Sequence, residues 1–327
     1  METTKKRIEY VDLGAGILIL WVIFFHAINN AHVFGETDAR VALPFLTFSM
    51  PWFFYKSGSF FKASRGKAGL RKDFRKFIIP YIKWSLIGFA FYVVMMAVDG
   101  TMDAQHLVFE PWEKLSIYGY LPIDVPVWFI LSLFFVRLIA DGLLRIRIHP
   151  LVWSLIGVLL AYLWYLNRDL GLPVYLANIP MGLAFFMMGY SLKELETNHY
   201  VIGISLIVYI ACLIWGFPII GLHRNILLNG PFLLWPVSSY FCIVLFNFLC
   251  RKVCELICKW NIRFSFFRTT GRHAMDILIT HGLIYMSVLH YSKLSPVPTL
   301  MIILASYALI LPILIWVMNR KSRLSRL

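Results

Sequence analysis

The chain has 327 residues, 60% of them hydrophobic and only 15% charged, with 27 Phe, 16 Tyr and 11 Trp. No soluble core of this size needs so much apolar surface, so the composition excludes an ordinary soluble protein and predicts a single integral-membrane domain over 1–327. The net charge of +14 invites a nucleic-acid reading, which the distribution of the cations argues against.

The first apolar run, residues 10–30, follows Lys5, Lys6 and Arg7 and carries no charge between residues 13 and 25. It is long for a signal peptide and no small-x-small cleavage pattern follows. It is therefore predicted to be a retained membrane helix that starts in the cytoplasm. Asp12 stands near its start and His26 near its end. An ionisable group in such a helix costs about 2.5–3.5 kcal/mol on insertion scales, so it needs a partner or a purpose. At about 100° per residue, Asp12 and His26 come within about 40° of one helix face. His26 is the first candidate for chemistry, and Asp12, the acid on its side of the helix, is the second catalytic candidate.

Further apolar stretches fall at roughly 41–61, 77–98, 125–144, 150–166, 174–192, 200–220, 231–250, 273–291 and 297–318. With the N-terminus inside, 23 of the 31 basic residues lie in cytoplasmic segments. Five (Arg40, Lys114, Arg168, Arg224, Lys293) lie outside, and Lys56, Lys83 and Arg137 lie within spans. This positive-inside pattern predicts an all-α polytopic membrane protein of about ten transmembrane helices with both termini cytoplasmic.

The second stretch ends in SMPWFFYKSGSFFK, where Pro51 and Ser57-Gly58 can loosen the helix. Lys56 lies within it and, read plainly, snorkels to the nearby cytoplasmic face. The segment KASRGKAGLRKDFRKFIIPY then sets seven cations against Asp73. Either it anchors on anionic lipid or it binds an anionic ligand such as nucleotide phosphates. The outer segment 99–124 is acidic and aromatic, suited to sugar hydroxyls or to plain solvation. In VPVWFILSLFFVRLI, Trp128 lies near the outer interface, and Arg137 either snorkels or lines a cavity. In the ninth stretch His281 falls near mid-depth, out of place as an unpaired imidazole. The five cysteines are odd in number and lie in or beside spans, which argues against a disulfide framework; the stripe Cys250, Cys254, Cys258 suits packing better than zinc. No metal site is expected.

Six stretches in order carry a resemblance: RIEYVDLGAGILILWVIFFHA, MPWFFYKSGSFFK, the basic run into FIIPY, VPVWFILSLFFVRLI, AFFMMGYSLK and TTGRHAMDILITHGLI. The chain resembles the acyltransferase-3 family of integral-membrane acyltransferases, particularly its fucose-4-O-acetylase-like branch. The resemblance implies an acyl-CoA donor, acetyl-CoA or another, reaching from the cytoplasm. It also implies a hydroxyl acceptor on a cell-surface or lipid-linked glycan, in a bacterial cytoplasmic membrane. It assigns His26 as general base, a role that imidazole suits because it titrates near neutral pH. Lys72 and Arg75 match the family's basic pair and would hold CoA phosphates. Ser57 and Gly58 match its serine-glycine, and Trp128 and Phe129 its Trp-Phe pair. Lys56 and Arg137 are further donor-side candidates, and Asn29, Trp128 and His281 are acceptor-side candidates.

The chain departs from the family where a cation is expected eleven residues before the histidine: position 15 is Ala. Either activity is impaired, or a cation comes from elsewhere, Lys56 being the candidate. Two other readings stay open: a glycan or lipid transporter or flippase, in which the intramembrane charges line a pathway, and a degenerate member with a scaffolding role.

Overall fold

The structure, a computed structural model, describes residues 8–63, 66–122, 125–168, 173–259, 265–292 and 294–324. Lys5, Lys6, Arg7, Arg65, Asp124, Arg263, Lys293 and Arg326 lie outside the described residues. In chain order the helices are α1 (Glu9–Asn30), α2 (Ala39–Ala42), α3 (Ser49–Ser59), α4 (Gly66–Asp73), α5 (Ile79–Asp99), α6 (Glu110–Tyr118), α7 (Trp128–Leu143) and α8 (Pro150–Leu166). They continue as α9 (Val174–Ala177), α10 (Ile179–Leu192), α11 (His199–Trp215), α12 (Leu234–Lys259), α13 (Ser265–Arg272), α14 (Ala274–Tyr291) and α15 (Pro296–Leu324). Between α11 and α12, β1 (Ile219–Gly221) pairs antiparallel with β2 (Ile226–Asn229).

Among the described residues three helices are long and apolar enough to cross a membrane: Glu9–Asn30, Gly66–Asp99 and Pro296–Met318. A fourth is gained if Tyr175–Thr197 and His199–Trp215, bent by 108°, count as one. The chain is thus helical, as its patterning predicts, but local boundaries differ from the expectation. The stretch 41–61 is not one helix. A 3₁₀ turn opens at Pro44, and the regular part is the 11-residue α3. The basic segment is no loop either, since α4, a π-helical turn at Phe74–Ile78 and α5 run on as one 34-residue helix. The segment 99–124, expected to be a loop, contains α6.

Buried side chains of α1, α3, α7, α10, α12 and α14 share one apolar core. Helices α5, α8, α11 and α15 leave Val98, Leu155, Ile207 and Leu309 exposed, the kind of surface that lipid covers. Without a hydrophobic drive between helices in lipid, close packing through small residues is what holds them. Two reciprocal contacts do this here. A Cβ at Gly58 would overlap the Phe186 carbonyl, and one at Gly189 would overlap the Tyr55 carbonyl, so α3 and α10 touch backbone to backbone. In the same way Gly16 meets the Phe267 carbonyl and Gly271 meets the Asp12 carbonyl, which docks α13 along the first half of α1. Ion pairs Arg268–Glu9 (2.9 Å) and Arg272–Asp12 (3.2 Å) flank the second contact.

Gly271→Val should therefore separate α13 from α1, with a loss of about 1–3 kcal/mol. The measurement is the thermal unfolding of detergent-solubilised protein. Gly142→Ala, on an exposed part of α7 with nothing within 4 Å of the added carbon, should leave the midpoint unchanged or slightly raised.

Candidate active site

His26 lies in the second-last turn of α1, half-buried, with its ring stacked on Tyr285 at 5.7 Å and 8°. The His281 ring stands 5.4 Å away on the same helix as Tyr285. Beside His26 opens a cavity of about 510 Å³. Its walls come from α1 (Trp21, Phe25, Asn29), from α3 (Met50, Pro51), from α14 (Leu278, Tyr285) and from the hairpin.

The rim is built from loops that the bundle holds rigidly. Asp38 caps α2, accepting the Arg40 backbone N–H at 2.8 Å, and takes the Arg40 guanidinium at 2.9 and 2.8 Å. The guanidinium in turn lies over the Phe25 ring at 5.1 Å. Asn225 adopts a left-handed conformation in the hairpin turn, a strained choice that its side chain secures by donating to the Ala161 carbonyl at 2.7 Å. This fixes His223 between Trp128 (5.1 Å) and Tyr120 (5.7 Å), ring beside ring. Burial, with Arg224 and Arg40 nearby, pushes the His223 imidazole down to about 3, so it is neutral at ordinary pH.

Of the residues singled out in the sequence, His26, Asn29 and Trp128 line this cavity, and His281 backs it, 1% exposed. The Asn29 side-chain oxygen accepts from Ala39 N–H at 3.0 Å, so it also anchors α2. Asp12 is elsewhere. It sits about 21 Å down the helix axis from His26 and pairs with Arg272, because sharing a face is not sharing a depth. Lys72 and Arg75 are exposed on the long second helix. Arg137 donates to Asp73 twice at 3.1 Å and to Ser57 Oγ at 3.0 Å, between the Phe61 and Phe77 rings.

Lys56 neither snorkels nor stands as an unpaired cation beneath His26. It is 5% exposed, and its ammonium donates to Glu196 at 2.8 and 3.0 Å. Arg251 reaches the same carboxylate at 2.7 Å and Tyr10 at 2.9 Å. The network ties α1, α3, the turn after α10, and α12 together. Sequence reasoning missed Glu196, His223 and Arg40 as site residues, whereas Tyr120 falls in the aromatic segment 99–124 that it marked for sugar hydroxyls. The available signal was Arg40 and Arg224 themselves, two of the five cations that the positive-inside pattern leaves outside the expected cytoplasmic segments and spans.

Among known proteins, the family model described as an acyltransferase domain, that of the acyltransferase-3 family, matches residues 8–318. No curated protein and no solved structure matches the chain.

Removing the shared carboxylate would strand two cations in the bundle. Glu196→Gln is expected to lower stability by about 3–5 kcal/mol, the usual result of breaking a buried pair from one side. The readout is the unfolding midpoint in detergent, and an unchanged midpoint would mean that the pair is not a structural tie.

Proposed function

Because the chain belongs to the acyltransferase-3 family, we propose that this membrane acyltransferase is an O-acyltransferase. It moves an acyl group, acetyl in this reading, from acyl-CoA to a hydroxyl of a cell-surface or lipid-linked glycan. The observation that carries the proposal is that His26, which follows an uncharged run over residues 13–25 of α1, borders a large cavity with aromatic and polar walls. Such walls suit a sugar ring, whose apolar faces meet Trp128 and Tyr120 while its hydroxyls meet Asn29 and the Asp38–Arg40 pair.

In this reaction His26 takes the proton of the acceptor hydroxyl as its oxygen attacks the thioester carbonyl. The new O–C bond forms, the C–S bond breaks, and the departing thiolate takes the proton back from His26. The carbonyl oxygen carries negative charge in between. Arg40 reaches the same cavity and keeps its Nη1 group free of the Asp38 contacts, so it is the cation we assign to that charge. Ala15 then needs no replacement by Lys56.

The proposal includes ten spans with both termini cytoplasmic, in the cytoplasmic membrane of a bacterium. The donor's phosphates meet Lys72 and Arg75 on the inner side, and the cavity faces outward. Asp99, at the far end of the long second helix from these cations, bonds His290 at the far end of α14 from α13, which supports the opposite placement.

One assay separates the two roles. His26→Ala should accumulate normally in membranes and lose about 10²–10⁴ in transfer rate. Lys72→Ala with Arg75→Ala should keep kcat and raise KM for acyl-CoA, more at low salt than at high. Near wild-type transfer by His26→Ala would remove the base role, and an unchanged donor KM would leave the basic segment to lipid.

A further inference from the structure

The inference rests on His26 being the base and concerns what holds it. His281 is 1% exposed, and its Nδ1 lies 2.8 Å from the Leu278 carbonyl in its own helix. A carbonyl only accepts, so Nδ1 carries the proton and the neutral ring keeps a lone pair on Nε2. That Nε2 is buried and finds no hydrogen-bond partner among the described residues. The ring cannot retreat easily, since the Tyr307 hydroxyl pins the His281 carbonyl at 2.7 Å from the facing helix α15.

The groups around His26 differ in what they can accept. The Tyr285 ring runs parallel to that of His26 with the centres 5.7 Å apart, so its π face is not presented to the imidazole N–H groups, which point in the ring plane. Arg40 has donors only. His223 belongs to the cavity rim on the hairpin, wedged between Trp128 and Tyr120. His281 remains. Its ring centre is 5.4 Å from that of His26. Each nitrogen is about 1.2 Å from its own ring centre, so a turn of the rings edge to edge brings nitrogen within about 3 Å of nitrogen, a hydrogen-bond distance.

We propose that His281 is a positioning residue, whose Nε2 accepts the ring N–H of His26 and so holds the opposite His26 nitrogen toward the cavity as the base. His281 exchanges no proton in the reaction. It fixes the tautomer and the ring orientation, and it partners the imidazolium formed while His26 holds the hydroxyl proton. The carboxylate of a serine-protease triad does the same for its histidine, with a charge that a neutral imidazole lacks.

The test uses the full-length protein in detergent, acetyl-CoA as donor, and whichever simple methyl glycoside supports the fastest thiol release. His281→Leu should lower kcat about 10- to 100-fold, the usual effect of losing an orienting partner. KM for both substrates should stay within about twofold. His281→Gln, whose side-chain oxygen can accept, should recover most of the loss. His26→Ala with His281→Leu should be no slower than His26→Ala alone. If His281→Leu does not accumulate, His281→Asn, too short to reach, replaces it in the comparison with Gln. A wild-type kcat, a raised acceptor KM at full kcat, or a Gln variant no better than Leu would overturn the positioning role. These results leave the base role intact as long as His26→Ala is inactive. An active His26→Ala instead overturns the base role, and this inference with it.

Discussion

The structure depends on a glycine contact. Gly16 and Gly271 let α13 lie against α1 with no side chain between them, and the chain turns directly from α13 into α14, which carries His281 and Tyr285. Where α13 docks along α1 therefore sets where α14 meets it higher up. In lipid, packing depth and polar partners decide such registers, since apolar side chains gain little by leaving hydrocarbon for one another. The same device between Gly58 and Gly189 seats α3 on α10.

Charge is handled differently at the two ends of α1. At the α13 end, Glu9 and Asp12 meet arginines, and Lys56, Glu196 and Arg251 form a buried cluster of two cations on one carboxylate. Buried ion pairs add little net stability, but removing one partner is expensive. Such a cluster therefore specifies an arrangement more than it strengthens one. At the His26 end the charged groups line a cavity, and Asp38 holds Arg40 in place before any ligand arrives. Groups fixed in advance need no reorganisation as charge develops, which is where electrostatic catalysis gains most.

Much of this was legible in the sequence, for definable reasons. His26 stood out because it follows thirteen uncharged residues, and Trp128 and Asn29 lie near the ends of apolar stretches that hydropathy marks well. Helical character followed from composition. What composition does not carry is distance between remote parts of the chain. Lys56 looked like a snorkelling or substitute cation because its partner, Glu196, lies 140 residues away. His223 sat in a short polar segment whose hairpin depends on Asn225 reaching α8. Asp12 was placed with His26 by angle, and the axial rise separates them. The break of the second stretch was signalled by Pro44, but its consequence, a short α3 seated on α10, required the glycine contact.

In the proposed reaction the cavity beside His26 opens on the opposite side of the membrane from the basic segment 62–81, which is proposed to meet the donor. Substituted-cysteine labelling tests it directly. With the five native cysteines replaced, Lys67→Cys and Arg224→Cys, both at exposed positions, are treated with a membrane-impermeant maleimide in intact and in permeabilised cells. The account predicts that Arg224→Cys labels in intact cells, whereas Lys67→Cys labels only after permeabilisation. Labelling of both from the same side would contradict it.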